Sequence, residues 1–545
     1  MPQEGKPLSP EEVETLKKWI AAGAKWEKHW AFVPPQRHTP PSVPDADWSQ
    51  NPIDAFVFAR LELEGLSPAP PAYLRTLARR AYFGVTGLPP TSEQLDAIVN
   101  DQAPGASERL VDMLLASPHY GEHWARHWLD LVRFAETNSF ERDGLKPNAW
   151  KYRDYVIRSF NADKPYSQFL REQLAGDELE VVTDESIIAT GYYRLGIWDD
   201  EPADPQQARY DEFDDIISTT SQAMLGLTVG CARCHDHKID PISQRDYYGL
   251  LAFFADVTPY GDIQVRNADR NSVWDLSKPE ARALRVELLG KEELVRKEMN
   301  VIEEAGIQRM SAGDQELAHP PDRERLLQDK LEQYLNKSEW ARHQEVSKQL
   351  TSVREEIKKL PAGEAALALA RCEPRPEPTH VMVRGNPNVP GEVVEPCFPQ
   401  LFGEPAPAIL PAAEGARSAG RRRVLADWIA SPRNMLTARV IVNRVWQHHF
   451  GRGLVRSASN FGELGTPPTH PELLDFLALW LIDHNWQLKP LHRLIMTSKT
   501  YRMSSAANAK ALAMDPSNDL LWRFDMRRLG AEEIRDATLV ASGQF

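Results

Sequence analysis

The sequence predicts a mainly α-helical protein: two multi-helical domains joined by a charged helical insertion and a short β-containing segment. Three observations carry this. Apolar residues recur at three- and four-residue spacing through most of the chain, as in Phe213, Ile216, Ile217, Thr220 and Met224. Hydroxyl residues followed three places later by Glu or Gln mark helix starts at Ser9–Glu12 and Thr91–Gln94, where each side chain satisfies the other's free backbone N–H. Runs that alternate apolar and polar, the sign of a half-buried strand, are few.

Taken in order, Ser9 caps a helix with Pro10 in its first turn and Val13, Leu16, Trp19 and Ile20 on one face. Proline-rich stretches at 33–44 and 66–71 read as a linker and a turn. Ile53, Phe56, Val57 and Leu61 form the next amphipathic stripe, and Leu95, Ile98 and Val99 follow the Thr91 cap. Ser117-Pro118 opens a helix bearing Trp124, His127, Trp128 and Leu131. The stripe from Phe213 to Met224 and that of Tyr247, Tyr248, Leu251 and Phe254 flank a short turn. Residues 279–360, rich in Glu, Lys, Arg and Leu, predict a solvated antiparallel helical hairpin. Met382, Val383, Val389 and Val393-Val394, broken by Gly and Pro, suit short strands. Helices resume at Leu425–Ile429, Leu436–Phe450, Glu472–Asp483, Pro490–Arg502 and Ala531–Ala541. The expected divisions are 1–24, a linker at 25–50, a first helical domain at 51–260, the hairpin with short strands at 261–420, and a second helical domain at 421–545.

Composition excludes several classes. A length of 545 residues leaves room for two or three domains with sizeable cores. A net charge of −14 argues against a nucleic-acid surface or a polybasic membrane anchor. No apolar run approaches the roughly 18 residues of a membrane span. No basic-then-apolar leader is visible at the N-terminus.

The turn between the two core stripes reads Cys231-Ala232-Arg233-Cys234-His235, the C-x-x-C-H attachment sequence of c-type haem. One turn of backbone sets both thiols at one porphyrin edge, and the adjacent imidazole becomes the proximal iron ligand. Three other readings stay open. The thiols form a disulfide or redox pair, although the strand–helix pattern of a thioredoxin-like site is missing. Alternatively they are half of a zinc or other metal site, for which Cys372 and Cys397 would have to complete the tetrahedron. In the last, the segment is an inert turn. Because haem c is attached outside the cytoplasm, the first reading predicts a longer gene product with a secretion signal.

Other histidines are weighed as the distal iron ligand. His237 is too close to His235 to reach the opposite haem face. His127, flanked by Trp124 and Trp128, is the candidate; with His123 one turn away it would also suit a metal pair, and a packed core role is the competing reading. His448 and His449 read as structural. The run Asp211, Glu212, Asp214, Asp215 reads as a solvated helix face.

Residues 118–135 (PHYGEHWARHWLDLVRFA), 147–177 and 225–254 resemble the planctomycete family of secreted cytochrome-like proteins, in which this block is a domain of unknown function. Residues 434–475 and 491–505 look like its partner domain of unknown function. The first 24 residues are similar to the end of a planctomycete-type cytochrome c domain, in which a Met-Pro pair such as Met1-Pro2 supplies a distal ligand; an initiator Met before a packing helix is the alternative. The resemblance implies an extracytoplasmic protein with a cytochrome-like role and a redox partner protein. The alternative function is a secreted metal-dependent hydrolase or cell-surface binding protein acting on an extracellular polysaccharide. Against the full family pattern the chain lacks the leader and the front of the cytochrome domain, so the resemblance makes it a fragment.

Overall fold

The computed structural model describes residues 8–24, 28–101, 103–139, 143–199, 202–258, 272–319, 322–360, 364–370 and 372–545. Its elements are overwhelmingly helical, with two small two-stranded sheets. Contacts divide it into two compact units, Val273–Ala366 and the rest of the chain.

The larger unit holds both regions expected as separate helical domains. They are one body because each supplies what the other lacks. Asp54, on the buried face of helix Pro52–Leu63, accepts from the backbone N–H groups of Lys499 (2.7 Å) and Thr500 (2.8 Å), satisfying the start of helix Lys499–Arg502. The Ala69 N–H donates to the Trp522 carbonyl (2.7 Å). Helix Arg421–Ile429 packs on helix Tyr166–Ala175.

Within the first region, helix Pro118–Leu131 lies against helix Ala149–Asn161. Trp128 crosses that contact, donating from its indole to the Tyr152 hydroxyl (3.0 Å), which donates to Gln173 (2.5 Å). Buried tyrosines and tryptophans keep such partners because an unpaired buried hydroxyl or indole N–H costs free energy. Helix Thr437–Phe450 packs on Pro471–Asp483 and is buried almost all round.

Several predicted boundaries shift for local reasons. The stretch expected as one helix from Pro490 to Arg502 divides into Leu488–Met496 and Lys499–Arg502, because the Ser498 hydroxyl caps the second by accepting from the Tyr501 N–H. The short strands are present: Thr379–Met382 pairs antiparallel with Pro390–Val394 across an irregularity after His380. The N-terminal helix Pro10–Ala21 forms with its capping box complete, yet no residue of it is buried. Met1-Pro2 lies outside the described residues.

The smaller unit is the charged insertion. Helices Pro279–Ile307 and Lys337–Lys359 run antiparallel, as the ion pairs Arg354–Glu292 (3.0 Å), Arg342–Glu298 (2.6 Å) and Arg309–Glu339 (2.5 Å) require in that order. Its apolar cluster gathers at the far end around Ile307, Met310, Leu326, Leu331 and Leu335. Val273–Asp275 and Ala365–Leu367 pair as a two-stranded sheet. No helix among the described residues is long and apolar enough to cross a membrane.

Candidate functional site

Helix Pro205–Thr220 leads into a wide turn at Ser221–Leu225, which has the i→i+5 pattern. Gly226 ends it with φ +61°, and a Cβ there would lie 2.9 Å from Val440, so the chain reverses only because the residue is glycine. Leu227 and Val229, each 1% exposed, carry the strand of chain back into the core. The 3₁₀ turn Gly230–Arg233 follows, and Ala232 is its buried foot. Helix Gln244–Phe254, capped by Ser243, closes the far side.

This frame fixes the turn from both sides. Arg233 reaches back to Asp211 (2.7 Å) and Asp214 (3.9 Å) on helix Pro205–Thr220. Its carbonyl accepts from the Gln244 amide (2.9 Å) and the Tyr248 hydroxyl (3.0 Å) on the following helix. Asp236 accepts from the Gln244 N–H (2.8 Å). What remains outward is the chemistry: Cys231, Cys234 and His235 are all exposed, and both cysteines are free thiols.

The imidazole of His235 has a defined tautomer. Its Nδ1 lies 2.7 Å from the Asp236 carbonyl oxygen, which can only accept, so the proton is on Nδ1 and Nε2 keeps an open lone pair. His237 is occupied differently: its Nδ1 accepts from the Asp240 N–H (2.8 Å), and its side chain is nearly buried. Asp240 in turn accepts from the Glu463 N–H (2.7 Å), which ties the segment to the second region.

The four-cysteine zinc site does not assemble. Cys372 is buried against Arg422, its sulfur 3.3 Å from the guanidinium, and burial raises its thiol pKa well above the ordinary range. Cys397 sits on the Gly249 backbone, where a Cβ at 249 would stand 2.2 Å from its sulfur. Among the described residues no group of three His, Cys, Asp or Glu is placed to hold a metal ion. A disulfide between Cys231 and Cys234 is likewise not formed.

His127 is not brought to the turn. Its ring lies flat on His448, with centroids 3.5 Å apart, and touches His123 and Trp124. One face is thus taken by His448 and the contacts to His123 and Trp124 are edge to face, which is the packed core role.

The acidic run is only partly a solvated face, because each of its carboxylates also has a partner. Asp211 holds Arg233, Glu212 accepts from the fully buried Arg194 (3.2 Å), Tyr247 donates to Asp214 (2.6 Å), and Asp215 takes both oxygens to Arg133. Burial raises the Glu212 pKa, and Arg194 opposes it. The same helix lines a cleft of about 1250 Å³, with Trp198, Tyr210 and Phe213 on its wall and Arg375 and Glu377 facing them. Asp211, Glu212 and Asp215 are each committed to an arginine.

Sequence reasoning missed Gly385. It adopts φ +72°, and a Cβ there would lie 2.6 Å from the Cys234 sulfur, so its missing side chain is what makes room for that thiol. The Gly-Asn-Pro-Asn context marks a turn, but nothing local ties it to a cysteine so far away in sequence.

Two family models match this chain. Residues 52–259 match PSCyt2, described as a protein of unknown function (DUF1549), and residues 421–545 match PSD1, likewise a protein of unknown function (DUF1553). The chain therefore carries these two paired domains of unknown function, and the Cys231–His235 turn lies inside the first. No curated protein and no solved structure matches it.

Proposed function

We propose that the protein is a secreted, cytochrome-like electron-transfer protein that carries one haem c on Cys231 and Cys234, with His235 as proximal iron ligand. The observation supporting this is the condition of the turn: two free, exposed thiols one turn apart, followed by an exposed imidazole whose Nε2 is open. That donor set fits thioether attachment and axial ligation together. A bound haem supplies a one-electron couple at its iron.

The chain's own residues do the rest. The Nδ1–H bond to the Asp236 carbonyl fixes the His235 ring and makes Nε2 a stronger donor. The Arg233 ion pairs and the buried Ala232 hold the two sulfurs at a set spacing, so attachment does not have to order a loose loop. Extracytoplasmic location and a redox partner protein belong to the same proposal, because haem c is attached outside the cytoplasm.

Replacing His235 with Ala tests the ligand assignment separately from attachment. The expected product keeps its covalent haem but shows a shifted absorption spectrum, because the iron loses its imidazole. Identical spectra for the two proteins would remove His235 from the iron.

A further inference from the structure

Away from the Cys231–His235 turn, five imidazoles meet where helix Pro118–Leu131 packs against helices Thr437–Phe450 and Leu488–Met496. His127 stacks on His448, and His123 stands 5.0 Å from His127. Trp124 lies at the centre, its ring 4.1 Å from His492 and 5.3 Å from His449. His449 and His492 share one hydrogen bond, Nε2 to Nδ1 at 2.8 Å. The outer nitrogens of that pair, His449 Nδ1 and His492 Nε2, are buried and have no partner. Helix Pro118–Leu131 belongs to the first matched region and the other two to the second. The cluster is therefore the seam between them.

We propose that this seam is an acid-sensitive clasp, which holds the two regions together while its imidazoles are neutral and opens when they take up protons.

The geometry dictates the direction. The neutral His449–His492 pair carries two ring protons, one in the shared hydrogen bond and one on an outer nitrogen, and a third proton would place a cation's N–H on the other outer nitrogen, which is also buried without an acceptor. Flat stacking of His127 on His448 suits neutral rings and sets two cations face to face once both are charged.

The surroundings offer no compensation. Arg126 lies on the first helix, Arg444 on the second and Lys489 on the third, and Arg527 approaches from beyond them. The one carboxylate that favours charge on His123 is Glu533, and both its oxygens are held by Arg527 (2.8 and 2.6 Å). Helix Leu74–Thr86 contributes the Gly84 carbonyl, taken by the Trp124 indole, and Arg80, which donates to the carbonyls of Tyr501 and Met503. Asp54 and Asp163, nearby on other elements, are already bonded to backbone N–H groups at 499–500 and 488–489. The hydroxyls of Tyr120 and Tyr501 are buried without partners and cannot be charged at acid pH.

Burial accordingly lowers His123 to about 4, His448 and His449 to about 3, and His127 and His492 well below the usual 6.5. Folded values lie below unfolded ones, so the unfolded chain binds more protons below pH 6.5. The seam's stability is full above that pH and falls as the pH drops towards 4. Each histidine contributes about a tenfold loss in the folding equilibrium per pH unit across that window. Glu178, which burial raises to about 7, acts in the opposite sense over pH 4.5–7 and offsets about one histidine.

The test is the pH dependence of urea unfolding of the whole chain, read with amide exchange on the three helices. Between pH 6 and 5 the wild type is expected to take up three or more protons on unfolding. The double variant His449→Gln, His492→Gln should take up about two fewer, and exchange in helix Pro118–Leu131 should then depend less on pH. If that variant does not fold, His123→Gln with His448→Gln reads the same quantity nearer the surface. An unchanged proton count in whichever pair folds overturns the proposal. So does wild-type exchange that follows only the intrinsic pH dependence of the amides.

Discussion

Replacing Arg422 with Leu is expected to cost the larger unit about 3–5 kcal/mol, the usual consequence of removing one partner from a buried ion cluster. Arg422 is fully buried and faces three carboxylates: Asp177 (2.7 Å), Glu178 (2.9 Å) and Asp256 (3.1 Å). Burial alone would raise Asp177, but the guanidinium outweighs it and holds the carboxyl below its usual value. Glu178 goes the other way, raised by burial to about 7, so the cluster already carries more negative charge than one arginine can balance. Without the guanidinium, Asp177 and Asp256 lose their counter-ion inside the core. The Asp177 pKa would then rise above its unfolded value, and stability would fall as pH rises through that range. The deficit should therefore be greatest near pH 8 and shrink towards pH 5, where protons replace the lost cation. Urea unfolding at the two pH values checks this. A deficit below about 1 kcal/mol at pH 8, or one that does not depend on pH, would contradict the account.

The second large effect concerns Cys231 and Cys234. In a host that attaches c-type haem, replacing both with Ser is expected to abolish covalent haem, while either single change leaves at most one thioether. Folding should be unaffected, because both thiols are exposed and neither makes a disulfide. The comparison is intact mass together with far-ultraviolet circular dichroism. Loss of haem with an unchanged helical signal is the expected pair of results. Loss of both would mean that the turn, rather than its thiols, had been damaged.

Local chemistry was legible in the sequence. The capping boxes at Ser9 and Thr91 form as their spacing requires, and the charged insertion is the antiparallel hairpin that its composition suggests. The Cys231–His235 segment is the turn between two buried helices that the flanking apolar stripes imply. The failures all involve partners distant in the chain. Arg422 meets Asp177 across 245 residues, and no spacing rule links them. A faint signal existed: Arg421, Arg422 and Arg423 open a helix, where the macrodipole disfavours cations, so carboxylates had to be nearby. The acidic run at 211–215 looked like a solvated face for the same reason, since Arg133, Arg194 and Arg233 reach it from other elements. His127, His448 and His449 are unrelated residues in the sequence, and only the packing of three helices joins them in one cluster with His492. The two helical domains expected at 51–260 and 421–545 coincide with the two family matches at 52–259 and 421–545, and long-range pairs join them in one compact unit.

The most direct test of the central claim is the absorption spectrum and intact mass of the wild-type chain after maturation in a host that attaches c-type haem. The expected result is a Soret band that survives acid–acetone extraction, a mass increase of one haem, and that increment on the peptide containing Cys231 and Cys234. A colourless protein of unmodified mass, with both thiols still free, would contradict it.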